Sequence, residues 1–184
     1  MDRRHSILVR VTHWINTAAF AALIVSGAAI LIAHPRLYWG ETGAYGSPAL
    51  IELPLPLNLD QSGWGRSLHF LSGWICVLNG GVYFLSGLRT RHFTKKMPQV
   101  YNGLQRRTYL IVALAVFPLM IVTGLAMSPA LTSVAPIVNV FGGHQSSRTI
   151  HFFAAGFLVF FLIGHVTMVY LSHRDAHEPA HHSA

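Results

Sequence analysis

The chain has 184 residues, of which 52% are hydrophobic and only 10% charged, with a formal net charge of +7. So little charge excludes an ordinary water-soluble domain, in which roughly a quarter of residues are charged, and so apolar a chain would collapse rather than stay disordered. The basic residues are spread between apolar runs, which speaks against a nucleic-acid partner; the single cysteine, Cys76, and the absence of Cys-x-x-Cys-His exclude a disulfide framework, a zinc finger, an iron–sulfur cluster and covalent c-type haem attachment.

Four stretches free of Lys, Arg, Asp and Glu are predicted to cross a bilayer as helices: Val11–Ala33, Ser67–Leu88, Thr108–Ser128 and Thr149–Ser172. About 20 residues at 1.5 Å each span the hydrocarbon core. The first is too long for a cleavable signal peptide and lacks a small-x-small site. The predicted fold class is therefore all-α integral membrane, a four-helix transmembrane bundle formed by one domain over residues 1–184. Ten basic residues fall on one side, in the N-terminal tail, the loop between spans two and three, and the C-terminal tail; Arg36, Arg66 and Arg148 fall on the other, with Glu41, Glu52 and Asp60. The positive-inside rule then puts both termini in the cytoplasm, and loops 34–66 and 129–148 outside.

Between spans one and two, Trp39-Gly40-Glu41-Thr42-Gly43 and Leu53-Pro54-Leu55-Pro56-Leu57 predict an irregular outer loop that covers or docks something, or merely connects. Span three has no histidine and carries Pro118, predicted to kink it; it reads as scaffold. The tail from 174 to 184 reads as disordered, and no internal repeat is evident.

Four histidines fall inside the spans: His13, His69, His151 and His165. Ionisable groups in a membrane are functional candidates because burying them is costly. His151 and His165 are 14 residues apart, which at 100° per residue returns to the same face of the helix, about 21 Å further along it. Alternating span direction puts His13 and His165 at the inner level and His69 and His151 at the outer level, giving two bis-histidine pairs. Zinc or copper sites usually recruit Cys or carboxylates, and no span contains Asp or Glu. Two neutral imidazoles in apolar, glycine-rich surroundings suit b-type haem, so two haem b groups are expected. Gly27, Gly73, Gly80, Gly81, Gly124, Gly156 and Gly164 would let a macrocycle approach the backbone, or would serve close helix packing.

Three of the histidines follow an arginine at i−3, in Arg10-Val-Thr-His13, Arg66-Ser-Leu-His69 and Arg148-Thr-Ile-His151. One turn nearer the surface, Arg10, Arg66 and Arg148 are placed to bind haem propionates bidentately, or to anchor the helix ends. Before span three, Asn102 and Gln105 would share a face at the inner level. They would hydrogen-bond a quinone carbonyl, or Asn102 would simply cap the helix. His92 is a possible proton relay and, more simply, a surface histidine.

The chain resembles the four-helix di-haem cytochrome b family, which includes the cytochrome b subunits of nickel–iron hydrogenase, the gamma subunit of formate dehydrogenase and bacterial cytochrome b561. The resemblance covers essentially the whole chain and rests on His13-Trp14, His69, the His151/His165 pair and Tyr101-Asn102-x-x-Gln105-Arg106. It implies that first- and fourth-span histidines hold the inner haem, second- and fourth-span histidines the outer one, and that quinone binds near Asn102 and Gln105. It further implies a membrane subunit passing electrons between a periplasmic oxidoreductase partner and the quinone pool of a respiratory chain. Two rivals stand beside this reading. One is a stand-alone quinone-coupled oxidase of a small substrate such as superoxide, drawn in by Arg36, Arg66 and Arg148; the long outer loop departs from that compact form. The other is a histidine-lined metal carrier, against which the lack of intramembrane carboxylates argues.

Overall fold

The computed structural model describes residues 7–43, 47–55, 63–90, 103–132 and 137–177. Four helices are long and apolar enough to cross a membrane, so the protein is an all-α, four-span membrane protein. α1 (Ile7–Ala33) covers the first span and α2 (Trp64–Arg89) the second. The third is α3 (Gly103–Ile111), a π-helical turn (Val112–Val116) and α4 (Phe117–Ala126). Short helices α5 (Pro129–Thr132) and α6 (Ile137–Val140) lead to α7 (His144–His177). Large apolar side chains such as Leu78, Leu114 and Phe160 are 65–76% exposed. That surface would be untenable in water and is what a lipid-facing helix presents.

Local chemistry accounts for the elements. In α1 the hydroxyls of Thr12, Thr17 and Ser26 donate to carbonyls four residues back at 2.7–2.9 Å, so no hydroxyl proton is stranded in an apolar environment. His34-Pro35 ends α1, because the residue before a proline is pushed out of helical geometry. Pro118 does not break the third span. A π turn precedes it, and the Phe117 N–H bonds the carbonyl of Val112, five residues back. Widening the helix by one residue is a recognised way to fit a local irregularity into a continuous helix. α7 continues to His177, so residues 174–177 are helical where a disordered tail was expected.

Backbone contacts divide the chain into two compact units, Met1–Leu37 with Ala49–Tyr101, and Tyr38–Pro48 with Asn102–Ala184. In the first, α1 and α2 run antiparallel. Ser26 meets His69, and Asn79, ten residues further along α2, meets Asn16, ten residues back along α1. The outer loop begins and ends in a two-residue antiparallel ladder, β1 (Arg36–Leu37) on β2 (Ile51–Glu52), clamped by an Arg36–Glu52 salt bridge of 2.8 Å.

In the second unit, α3 and α4 run antiparallel to α7. Tyr109 meets His165, and 14 residues on in each direction Thr123 meets His151. The N-terminus of α7 is closed by a strap from the outer loop. The Gly40 carbonyl accepts the N–H groups of Gln145 and Ser146, the Gly40 N–H donates to Ser146 Oγ at 2.7 Å, and Thr149 Oγ1 donates to the Tyr38 carbonyl at 2.7 Å. Gly143, at φ +117°, is needed here, since a Cβ would come within 2.5 Å of the Gly40 carbonyl. Part of the loop expected to cover something therefore covers the start of the helix that carries His151 and His165.

Candidate haem-ligand sites

His69 and His151 are held in the same way. Nδ1 of His69 is 3.0 Å from Ser26 Oγ, and Nδ1 of His151 is 2.9 Å from Thr123 Oγ1. Both hydroxyls are fully buried, and both lie 2.7 Å from the carbonyl four residues back, Ala22 and Leu119 respectively. A hydroxyl has one proton. With that proton on the helix carbonyl, the oxygen accepts from the imidazole and the ring donates from Nδ1. In that arrangement each ring is the Nδ1–H tautomer, with its lone pair on Nε2. This is how a metal-ligating histidine is usually prepared: one nitrogen is anchored by a hydrogen bond and the other turned to the metal. Beside each anchor is a glycine. A Cβ on Gly27 or Gly124 would lie 3.5 Å from Cε1 of His69 or His151, which leaves room for a methyl group and no more.

His13 and His165 have different surroundings. His165 Nδ1 is 2.9 Å from the Tyr109 phenol oxygen. Phe161 stacks on the His165 ring at 21° and a centroid distance of 6.2 Å, and the Tyr109 ring stands edge-on to both. His13 lies on α1, with its ring edge-on to Trp14 at 5.7 Å. One residue before it, the Thr12 carbonyl accepts from Asn79 Nδ2 at 2.7 Å, and the same amide donates to Asn16 Oδ1 at 2.8 Å. α1 thus holds its place on α2 by an amide pair at this level.

Of the three arginines, Arg10 and Arg66 are exposed and Arg148 is half-buried, each one turn before its histidine on the same helix. Arg36, which the stand-alone oxidase reading recruits, is engaged by Glu52. Asn102 and His92 lie outside the described residues; Gln105 falls on α3, with its side chain outside them. A side chain at Gly73, Gly80, Gly81, Gly156 or Gly164 would meet no atom within 4 Å, so crowding inside its own helix pair is not what calls for glycine there.

Sequence reasoning missed Ser26, Thr123, Tyr109, Asn16 and Asn79. It also read the third span as scaffold, whereas that span supplies the partners of both α7 histidines. The missed signal is an internal repeat, which the two units make visible. Ile24-Val-Ser-Gly-Ala-Ala29 on α1 matches Ile121-Val-Thr-Gly-Leu-Ala126 on α4, and Arg66-Ser-Leu-His69-Phe70 on α2 matches Arg148-Thr-Ile-His151-Phe152 on α7. Earlier in each first helix, Arg10-Val-Thr12-His13 matches Arg106-Arg-Thr108-Tyr109, with an offset one residue shorter; the π turn of Val112–Val116 is that one-residue insertion. In this alignment Tyr109 stands where the first half has His13, and Tyr83, 14 residues after His69, stands where the second half has His165.

The donor chemistry fits b-type haem. Three histidines have a side-chain hydroxyl beside Nδ1, an arrangement that leaves Nε2 available to an iron. Among the described residues no three His, Cys, Asp or Glu side chains gather into a cage for a bare metal ion. The profile of the prokaryotic cytochrome b561 family matches residues 4–179. A relative from Azospira oryzae, a putative protein-methionine-sulfoxide reductase subunit YedZ1, is 27% identical over 195 residues, covering 91% of this chain and 90% of its own. With its four membrane-length helices and prepared histidines, the chain belongs to the prokaryotic cytochrome b561 family of electron-transporting, b-type haem membrane proteins.

Proposed function

We propose that this protein is the membrane subunit through which electrons pass between the quinone pool and an oxidoreductase on the outer, periplasmic side of a bacterial inner membrane. Two haem b groups would supply the one-electron chemistry when bound. His13 and His165 would hold the haem at the inner level, and His69 and His151 the one at the outer level. Depth along the spans and the family pattern support this pairing, and the hydroxyl beside Nδ1 of His69, His151 and His165 is the observation that carries their role as ligands. Ser26, Thr123 and Tyr109 orient the ligand rings and keep Nε2 as the coordinating nitrogen. Arg10, Arg66 and Arg148 sit one turn from three of the ligands, where propionates would be neutralised. Charge topology puts both termini in the cytoplasm.

By analogy with the Azospira relative, the partner is proposed to be a reductase acting on an oxidised sulfur centre such as a methionine sulfoxide. Electrons would then run from quinol at the inner level outward. The Arg36–Glu52 salt bridge speaks against the stand-alone oxidase, since it removes one cation from the attracting surface that reading needs. At the inner level, Asn102 and Gln105 would donate to the quinone carbonyls, because amides do so without a buried charge.

The test is electron delivery with purified protein in vesicles. Added quinol should reduce both haems, and Asn102→Leu and Gln105→Leu should slow that reduction while keeping both haems and their bis-histidine spectrum. Unchanged quinol kinetics in both variants would remove the quinone assignment from this stretch. Failure of quinol to reduce either haem in the wild-type protein would overturn the proposed route.

A further inference from the structure

We infer that Tyr109 is a positioning residue that sets the redox potential of the inner haem through His165, an inference that rests on His165 being an axial ligand as proposed above. The phenol oxygen is 2.9 Å from Nδ1. With Nε2 on iron, a neutral imidazole carries its remaining proton on Nδ1, so the ring donates and the phenol accepts. An acceptor on Nδ1–H makes the imidazole a stronger donor to the metal, which favours the more positively charged ferric state and lowers the potential. The ring plane is fixed as well. Phe161 stacks on one face of His165, and Tyr109 stands at 89° to it.

Position distinguishes this contact from a chance hydrogen bond. The repeat puts Tyr109 where the first half carries the ligand His13, so the second half keeps a side chain directed at the inner level but uses it to hold a ligand rather than to be one. At the outer level both ligands rest on aliphatic hydroxyls polarised by a helix carbonyl. Only at His165 is the acceptor seen to be an aromatic hydroxyl, whose lone pairs are partly delocalised into the ring. The ligands at the two levels thus differ in the basicity of the group behind Nδ1, which is a means of setting two potentials apart in one small protein.

Redox titration with electron paramagnetic resonance on the haem-loaded protein tests this. Tyr109→Phe keeps the ring and its packing and removes the acceptor. The expected result is two haems per chain, a potential shifted upward for the inner haem alone, and a changed ferric signal from that haem as its imidazole plane is released. Thr123→Val should do the mirror image, raising only the outer potential. Incorporating 3-fluorotyrosine at position 109 weakens the oxygen as an acceptor with almost no change of shape, and should give a smaller upward shift of the same haem. That substitution also decides the matter should Tyr109→Phe fail to retain the inner haem. An inner potential unmoved by fluorination, or moved equally with the outer one, would overturn the assignment. His165→Ala separates this from the ligand pairing: if that variant still binds two haems, it is the axial role of His165 that is wrong.

Discussion

The two helix pairs, α1 with α2 and α3–α4 with α7, are built on one repeated pattern and differ at one end of it. At the end that holds His69 and His151 they match closely: a buried hydroxyl followed by glycine on one helix, and Arg-x-x-His-Phe on the other, with the imidazole resting on the hydroxyl. At the opposite end they have diverged. The first pair joins Asn79 to Asn16 and to the Thr12 carbonyl beside His13, while the second assembles Tyr109, Phe161 and His165. In the repeat, Asn79 corresponds to Phe161, so one half uses amides where the other uses aromatic rings. An outer site drawing one ligand from each half would be nearly symmetric in its ligand supports, and an inner site would not. Different support is what two haems need if they are to sit at different potentials and face different redox partners.

The largest effects should come from the ligands. His69→Ala and His151→Ala are expected to give indistinguishable proteins, each retaining a single haem with the inner potential. His13→Ala and His165→Ala are expected to retain the outer one. Redox titration followed at the b-type alpha band separates the cases, and a His151→Ala protein that titrated like His13→Ala would break the pairing.

Next in size are the hydroxyls behind the outer ligands. Ser26→Ala and Thr123→Val each remove the hydroxyl beside Nδ1, and losing such a supporting partner typically costs about 10–100-fold in metal affinity. The similarity of the two halves predicts similar losses of outer-haem retention under competition by apomyoglobin. A severe loss in one variant and none in the other would show that the halves share sequence without sharing a task.

Asn79→Leu should act on α1–α2 pairing rather than on a ligand, destabilising it by about 1 kcal/mol, the usual scale for an interhelical hydrogen bond in a membrane. A denaturant titration in detergent would register this, with haem count unchanged. Smallest of all, Gly27→Ala and Gly124→Ala should be near neutral, because the added methyl finds ordinary contact at 3.5 Å. Valine at either position would press on the imidazole and is expected to lower haem retention.

Much of this was legible in the sequence because membranes enforce simple rules. Runs free of charge set the spans, and the 14-residue spacing put His151 and His165 on one face of α7, where the structure finds both meeting the third span. The helix ends were less legible. α7 begins at His144, five residues before its charge-free core, because the Gly40 carbonyl closes it from a segment distant in sequence. The supports of the ligands were invisible for a different reason. Ser26 and Thr123 look like ordinary small residues of a membrane helix until their protons are assigned, and Tyr109 carries no motif by itself. The repeat that exposes them is interrupted by one residue, and only the π turn shows where.

The central claim is that the four intramembrane histidines form two haem sites. A pyridine haemochrome assay on fully loaded protein, set against a quantitative amino-acid analysis, measures it most directly. The account predicts two haem b per chain, with all of it lost when His13, His69, His151 and His165 are replaced together. A value of one in the loaded wild-type protein would contradict it, leaving one of the two histidine pairs without a haem to hold.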